Sequence, residues 1–378
     1  MYANYAATSP ALSAAVVKEL CGYLGETHLN AGRNFEGLEA GTIALRARRA
    51  IARLFDVSDP LRVVFTGGAT QSLNMLIHGL AWEGCHVLAT GVEHNAVARP
   101  LHKLHKNGVI QLDWLRCDPD GSLDTGRLRA AIKKNSRLLV MTHASNVLGT
   151  ILPVNDCFRI AREYGVFTVL DAAQTGGVLP LAMGDCCDAL VFAGHKGLGG
   201  LAGSGGFVLG KAAADASGGI RQWMSGGTGS ASASLDMPDF LPDRFEPGTQ
   251  NTIGILSLAA SIEEILRIGV ENIMKREQGY TARFLSGLGE IKNVSPCGTR
   301  DPARCVPIVS VVVRGRGAGE VSRLLFEKHD IITRSGLHCS PLAHQSAGTF
   351  PDGTVRFSFG RGTTEEGVDA MLEALSTL

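Results

Sequence analysis

Four side chains and one thiol stand where chemistry is possible in this sequence. Lys196 lies in FAGHKGLGG (192–200), between a histidine and a row of glycines at the end of an apolar run. A lysine after a strand usually reaches solvent, but an amine in that place is also the group that forms a Schiff base with an aldehyde. Asp171 closes VLDAAQ, Thr70 follows the glycine turn of TGGAT, and His94 follows HVLATGVE. An acid suits a protonated ring nitrogen, and an imidazole can stack on an aromatic ring. Thr70, close to a helix N-terminus, suits a phosphate, because free N–H groups and the helix dipole favour an anion there. The thiol is Cys339 in RSGLHCSPLAH (334–344), a polar, glycine-containing loop where a thiolate can be exposed beside a cation.

An aldehyde, a phosphate, a stackable ring and a ring nitrogen that needs an acid together describe pyridoxal 5'-phosphate, whose pyridinium withdraws electrons from a substrate carbanion. One cofactor can meet all four side chains only if the fold gathers them. The sequence supplies such a fold. RVVFTG (62–67), HVLAT (86–90), RLLVMTHAS (137–145), VFTVLDAAQ (166–174), ALVFAGHK (189–196) and GGFVLG (205–210) are short, nearly continuous apolar runs, as in strands covered on both faces. Helical spacing between them, such as Leu73, Leu76, Ile77 and Leu80 after the glycine turn, completes a βαβ pattern. Ligands in such α/β sheets collect outside the carboxyl ends of the strands, where these polar residues fall.

The segment SGGTGSASASLD (225–236) is rich in glycine and small residues and reads as a loop, either a linker or a mobile flap over the active site. A helix near IGILSLAASIEEILRIG and a strand IVSVVV (308–313) then open a smaller α+β part. The arginines of RARRAIARLF (46–55) read as a solvated face beside a buried one.

With 378 residues, 45% of them hydrophobic, the chain can bury a large core. The net charge is +0, from 36 basic and 36 acidic side chains, which leaves no global field for nucleic acid or an anionic membrane. No apolar stretch reaches the roughly 18 residues of a membrane span, and MYANYAATSP lacks the basic and apolar regions of a signal peptide. A cytoplasmic protein is expected. Nine cysteines, an odd number without paired metal spacing and with Cys186 adjacent to Cys187, suggest reduced thiols rather than disulfides or a metal site.

The chain resembles the cysteine desulfurases of the class V aminotransferase group, with the type I fold of pyridoxal phosphate enzymes. The resemblance rests on NYAATSP, GGAT, EHNA, DAAQ, GHK, FEPGTQN, RSGLHC and VRFSFG, in the family's order over nearly the whole chain. It implies an α/β fold whose large domain (13–256) holds a mainly parallel seven-stranded sheet between helices. A smaller α+β domain (1–12 and 257–378) would carry the cysteine loop and a substrate arginine.

Residue by residue, the resemblance implies that Lys196 binds the cofactor aldehyde, Asp171 pairs with the pyridine nitrogen, and Gln174 bonds the phenolic oxygen. His94 would stack on the ring and move protons. Thr70, the backbone N–H groups of Ala69 and Thr70, and His195 would hold the phosphate, joined across a homodimer interface by Thr249 of the other subunit. Ala193 stands where relatives often have serine, removing one hydroxyl from that set. Asn146 and Arg356 would hold the substrate carboxylate, the arginine by a bidentate fork. Arg33 in NAGRNFEG departs locally from the family pattern and is left outside the site. In RGTTEEGVD, where relatives usually have an asparagine, Thr363 or Thr364 can serve as helix cap.

The implied reaction converts L-cysteine to L-alanine and leaves the sulfur on Cys339 as a persulfide, for which a sulfur-acceptor protein is a possible partner. The short cysteine loop is similar to the second group of desulfurases, which also includes selenocysteine lyases and sulfinate desulfinases. Another class V enzyme, a transaminase or epimerase, would keep Lys196 and Asp171 without needing Cys339.

Overall fold

The structure, a computed structural model, describes residues 1–25, 38–183, 187–215 and 219–378, with side chains from residue 41 onward in the second stretch. Arg33 and Cys186 lie outside the described residues.

Seven strands form the larger sheet: β1 (Val63–Thr66), β2 (His86–Thr90), β3 (Gln111–Leu115), β4 (Ser136–Thr142), β5 (Phe167–Asp171), β6 (Ala189–Ala193) and β7 (Gly205–Leu209). Their order is β1-β7-β6-β5-β4-β2-β3. Neighbours from β3 to β6 pair parallel, and β7 alone runs against its neighbours β6 and β1. Side chains divide between the faces with the period of two that a strand imposes. Leu139, Met141, Leu190 and Phe192 enter one core, and Leu138, Val140, Ala189 and Val191 enter the other.

Helices cover both cores. Residues of α1 (Ala14–Leu24), α2 (Leu38–Leu54), α5 (Thr125–Ala131), α6 (Val154–Glu163) and α8 (Thr252–Ile268) fill the first. Those of α3 (Ala69–Leu80), α4 (Asn95–Lys106) and the short α7 (Lys211–Ala214) fill the second. The six apolar runs are all strands. The seventh, β3, has no such run: it is an edge strand reading QLDWL, with Gln111 exposed and Asp113 bonded to Lys133 at 2.7 Å.

The smaller sheet joins β8 (Val294–Cys297), β9 (Ile308–Val313), β10 (Arg334–Gly336) and β11 (Thr354–Ser358) in the antiparallel order β10-β11-β9-β8. Its core takes Phe284 from α9 (Val270–Leu288), Leu325 from α10 (Ala318–His329) and Met371 from α12 (Glu365–Ser376), packed with Phe357 and Phe359, while the short α11 (Pro341–Ala347) follows the cysteine loop. The N-terminus joins this sheet through bridges from Tyr2 to Ile332 and Asn4 to Ser358. Ile262 and Ile265 of α8 are buried in the larger core, so the division expected at 256/257 falls inside a helix that still belongs to that core. Thr364 caps α12, its hydroxyl accepting from the Gly367 N–H at 3.1 Å.

One arginine of the helix face at 46–55 is not solvated. Arg48 is buried and bonds Glu246 at 2.6 Å, while Glu246 also accepts the Phe65 N–H at 2.6 Å. The aliphatic neighbours of α2 carry Arg48 into the interior, and the paired carboxylate satisfies its charge there. This tie fixes the FEPGTQN segment against β1.

Candidate active site

The carboxyl ends of the parallel strands deliver their following residues to one place. Gly67 to Thr70 follow β1, His94 follows β2, Asn146 follows β4, Asp171 ends β5, and His195 and Lys196 follow β6. All of these, with Gln174, Ala193, Arg334, His338 and Arg356, line a single cavity of about 620 Å³. Lys196 is half-buried there. Withdrawal from water pushes its amine down to about 8; Asp171 opposes the change, and Arg356 and Arg334 add to it. Asp171 is 4% exposed, and its Oδ1 accepts the Ala173 N–H at 2.9 Å. Burial raises this carboxyl above its ordinary value, against the pull of the Ala173 N–H and Lys196.

His94 caps α4: its Nδ1 accepts the Ala96 N–H at 3.0 Å. Because Nδ1 accepts, the neutral ring carries its proton on Nε2. Burial, then Lys196, Arg334, Arg356 and Arg99, push the imidazole down to about 4, so it is neutral at pH 7. Gln174 donates from Nε2 to the Ala6 carbonyl at 3.1 Å, and His195 Nδ1 lies 3.1 Å from the Thr8 hydroxyl. At the opposite wall α3 begins after Gly68, whose φ is 140° and which supplies no side-chain cap. The first N–H groups of that helix therefore lack a side-chain acceptor. Gly205 on β7 lies so close that an added Cβ would stand 2.7 Å from the Gly68 Cα, which keeps this turn bare of side chains.

Arg356 enters from β11 and is 1% exposed. Its Nη1 donates to the Asn146 carbonyl at 2.9 Å and its Nη2 to Asn4 Oδ1 at 3.1 Å, while Nε is buried without a hydrogen-bond partner. Among the described residues no carboxylate pairs with it, so a buried cation faces the cavity ready for an anion.

Cys339 is exposed and stands beside this cavity, linked to its wall by Arg334, whose Nη2 donates to Sγ at 3.5 Å. His338 and Cys339 have φ values of 50° and 59°, both left-handed, and the Asn95 N–H at the start of α4 donates to the Cys339 carbonyl at 2.7 Å. Burial pushes the thiols of Cys117 and Cys157 up to about 12, and those of the half-buried Cys297 and the buried Cys305 up to about 11.

Known proteins resemble this chain along its whole length. The sequence pattern described as aminotransferase class-V matches residues 1–371. The chain belongs to the class V aminotransferase family. A "Probable cysteine desulfurase" of Methanothermobacter thermautotrophicus is 31% identical over 388 residues, covering 100% of this chain and 94% of the relative. A second so named, from Pyrococcus abyssi, is 31% identical over 323 residues, covering 84% of this chain and 78% of that one. The apo structure of a cysteine desulfurase from Thermococcus onnurineus superposes with a TM-score of 0.91 at 28% identity, covering 100% of this chain and 94% of that one.

Class V enzymes use pyridoxal phosphate, and the residues here fit that group. An uncapped helix start suits its phosphate, the buried Asp171 its ring nitrogen, and the Lys196 amine its aldehyde. Ala193, the last residue of β6, lines the cavity with a methyl group and offers no hydroxyl. Thr249 is elsewhere: with Gln250 and Asn251 it borders a separate cavity of about 200 Å³. Asn146 is in the wall, and its side chain is engaged with the cysteine loop, donating to the His338 carbonyl at 2.8 Å and accepting from the Ser340 hydroxyl at 2.6 Å. Sequence reasoning gave no role to Arg334, Asn4 or Glu93. RSGLHC and NYAATSP contain the first two, but only the pairing of β10 with β11 and of the N-terminus with β11 shows which group each one meets.

Among the described residues no helix is long and apolar enough to cross a membrane.

Proposed function

We propose that the protein is a pyridoxal phosphate-dependent cysteine desulfurase that takes the sulfur of L-cysteine onto Cys339 and releases L-alanine. The observation that carries this reading is the placement of an exposed thiol, bonded to Arg334, at the edge of the cavity that holds Lys196, Asp171 and Arg356. A transaminase or epimerase has no use for that thiol.

Ala69 and Thr70 would hold the cofactor phosphate with backbone N–H groups, with Thr70 and His195 adding side-chain contacts; Asp171 would hold the ring nitrogen, Gln174 the phenolic oxygen and Lys196 the aldehyde. When bound, the cofactor withdraws the electron pair left on the substrate α-carbon. Arg356 binds the substrate carboxylate, and its contacts with Asn146 and Asn4 orient the fork. Lys196 Nζ would take the α-proton; its lowered basicity raises the fraction of neutral amine able to do so near neutral pH. His94 would cover the cofactor ring and would keep a proton at Nε2 for delivery. Cys339 Sγ attacks the substrate sulfur: an S–S bond forms, the C–S bond breaks, and its electron pair stays with the carbon fragment, which takes up protons and leaves as alanine.

A homodimer is part of the same reading. Thr249 lies outside its own subunit's cavity, as a residue serving a second copy would. Trp223 borders the cavity, and Met224, Leu235 and Phe240 are exposed near it in sequence, apolar surface of the kind a partner covers. The 225–236 loop between them would then act as a flap over the neighbouring site. The persulfide would pass to an acceptor protein docking near the exposed Cys339, in a cytoplasm that keeps thiols reduced. The small domain would begin after α8 rather than at 257.

Mass spectrometry of the cofactor-loaded protein after one turnover of L-cysteine tests this reading. A gain of one sulfur atom on the peptide containing Cys339 is expected, and turnover without it would overturn the assignment.

A further inference from the structure

Both ends of the Asn146 side chain grip the loop on either side of Cys339. Nδ2 donates to the His338 carbonyl at 2.8 Å, and Oδ1 accepts from the Ser340 hydroxyl at 2.6 Å. The amide cannot be turned round, because its oxygen would then face a carbonyl. Asn146 is 6% exposed, and Ser340 and His338 are 0% and 2% exposed.

The loop needs such a grip. His338 and Cys339 are consecutive left-handed residues, a conformation that L side chains disfavour and that lasts only where the surroundings impose it. The Asn95 N–H takes the Cys339 carbonyl at 2.7 Å, so the carbonyls of residues 338 and 339 and the hydroxyl of residue 340 are each fixed from the larger sheet's side. The backbone carbonyl of Asn146 meanwhile accepts from Arg356 Nη1 at 2.9 Å. One residue thus joins the buried arginine to the loop that carries the thiol.

We infer that Asn146, with Ser340, is a positioning residue for Cys339: besides any contact with the substrate carboxylate, its amide holds the thiol loop. This deepens the desulfurase reading and rests on it for the meaning of Cys339, although the grip itself is a property of the fold. Oδ1 and one Nδ2–H are committed to the loop, which leaves a single Nδ2–H for any ligand.

Ser340→Ala and Asn146→Ala, each loaded with pyridoxal phosphate, test the inference. Ser340 does not border the cavity, so its variant loosens the loop without touching the substrate site. Hydrogen exchange at residues 336–341 and the rate of iodoacetamide labelling at the Cys339 peptide report the loop directly. Both are expected to change severalfold in both variants, and the double variant should add little to Asn146→Ala. Persulfide formation should slow roughly tenfold in Ser340→Ala, while the apparent affinity for L-alanine, read from the cofactor absorbance, stays within about twofold. Unchanged exchange and labelling in both variants would overturn the inference, as would a loss confined to L-alanine affinity in Asn146→Ala. If the wild-type protein forms no persulfide the desulfurase reading fails, and exchange and labelling still decide the role of Asn146. Should Asn146→Ala not fold, Ser340→Ala decides it alone.

Discussion

Arg334 Nη2 donates to Cys339 Sγ across 3.5 Å, joining the first residue of β10 to a thiol five residues later. Because the guanidinium is bonded to Sγ and can hold it near the substrate sulfur, Arg334→Met should slow sulfur transfer roughly tenfold, equivalent to about 1.4 kcal/mol. Single-turnover persulfide formation on the loaded enzyme measures this. A rate within twofold of wild type would remove Arg334 from the account.

The depressed basicity of Lys196 gives a pH dependence. Its amine must be neutral to attack the cofactor aldehyde, and the neutral fraction grows until the pH passes about 8 and then levels off. An ordinary lysine would keep gaining up to its usual value of 10.5. The rate at which the apo-protein takes up pyridoxal phosphate, followed by its visible absorption, should rise up to about pH 8 and plateau above it. Lys196→Ala should lose that absorption change.

Much of this was readable in the sequence, and the omissions have a common cause. Apolar runs identify strands buried on both faces, such as ALVFA, because both sides must be apolar; the edge strand QLDWL escapes since only Leu115 of it is buried. Strand-end residues such as Lys196 and Asp171 carry their own signal, a polar group closing an apolar run. Contacts made between distant segments carry none. That Asn146 holds Ser340, 194 residues away, or that Asn4 holds Arg356, 352 residues away, follows only once the two sheets are in place. Arg48 was legible as a helix-face arginine but not as a buried one, because its partner Glu246 comes 198 residues later.

Arg356 has the geometry of a carboxylate receptor without a protein carboxylate to bind, among the described residues. Arg356→Lys keeps the charge but loses the fork and the Asn4 and Asn146 contacts together. The expected outcome is a fall in kcat/KM for L-cysteine of roughly 100-fold, about 2.7 kcal/mol, carried mainly by KM. Steady-state kinetics over a wide substrate range would show it, and an unchanged KM would contradict the assignment.

Glu93, next to His94, is wholly buried: Oε1 accepts from the Thr90 hydroxyl at 2.5 Å and the Thr142 N–H at 2.8 Å, and Oε2 has no partner. Burial pushes its carboxyl from 4.5 up to about 8. Between those values the unfolded chain releases a proton that the folded protein keeps, so stability contributed by Glu93 is present below pH 4.5 and is lost as pH rises toward 8. The slope approaches about 1.4 kcal/mol per pH unit. Glu93→Gln retains the two accepted bonds and cannot ionise, so its denaturation midpoint relative to wild type should rise from pH 5 to pH 8. Parallel pH profiles for the two proteins would count against a protonated Glu93.

The central claim is that Cys339 receives the sulfur of L-cysteine, and the most direct test is to measure alanine and sulfide released by the purified, cofactor-loaded protein under reducing conditions, alongside Cys339→Ser. Equimolar alanine and sulfide from the wild type, lost in the variant while the cofactor absorption remains, is the expected result. Alanine and sulfide release that persists unchanged in Cys339→Ser, or no alanine from a wild type that plainly holds its cofactor, would contradict it.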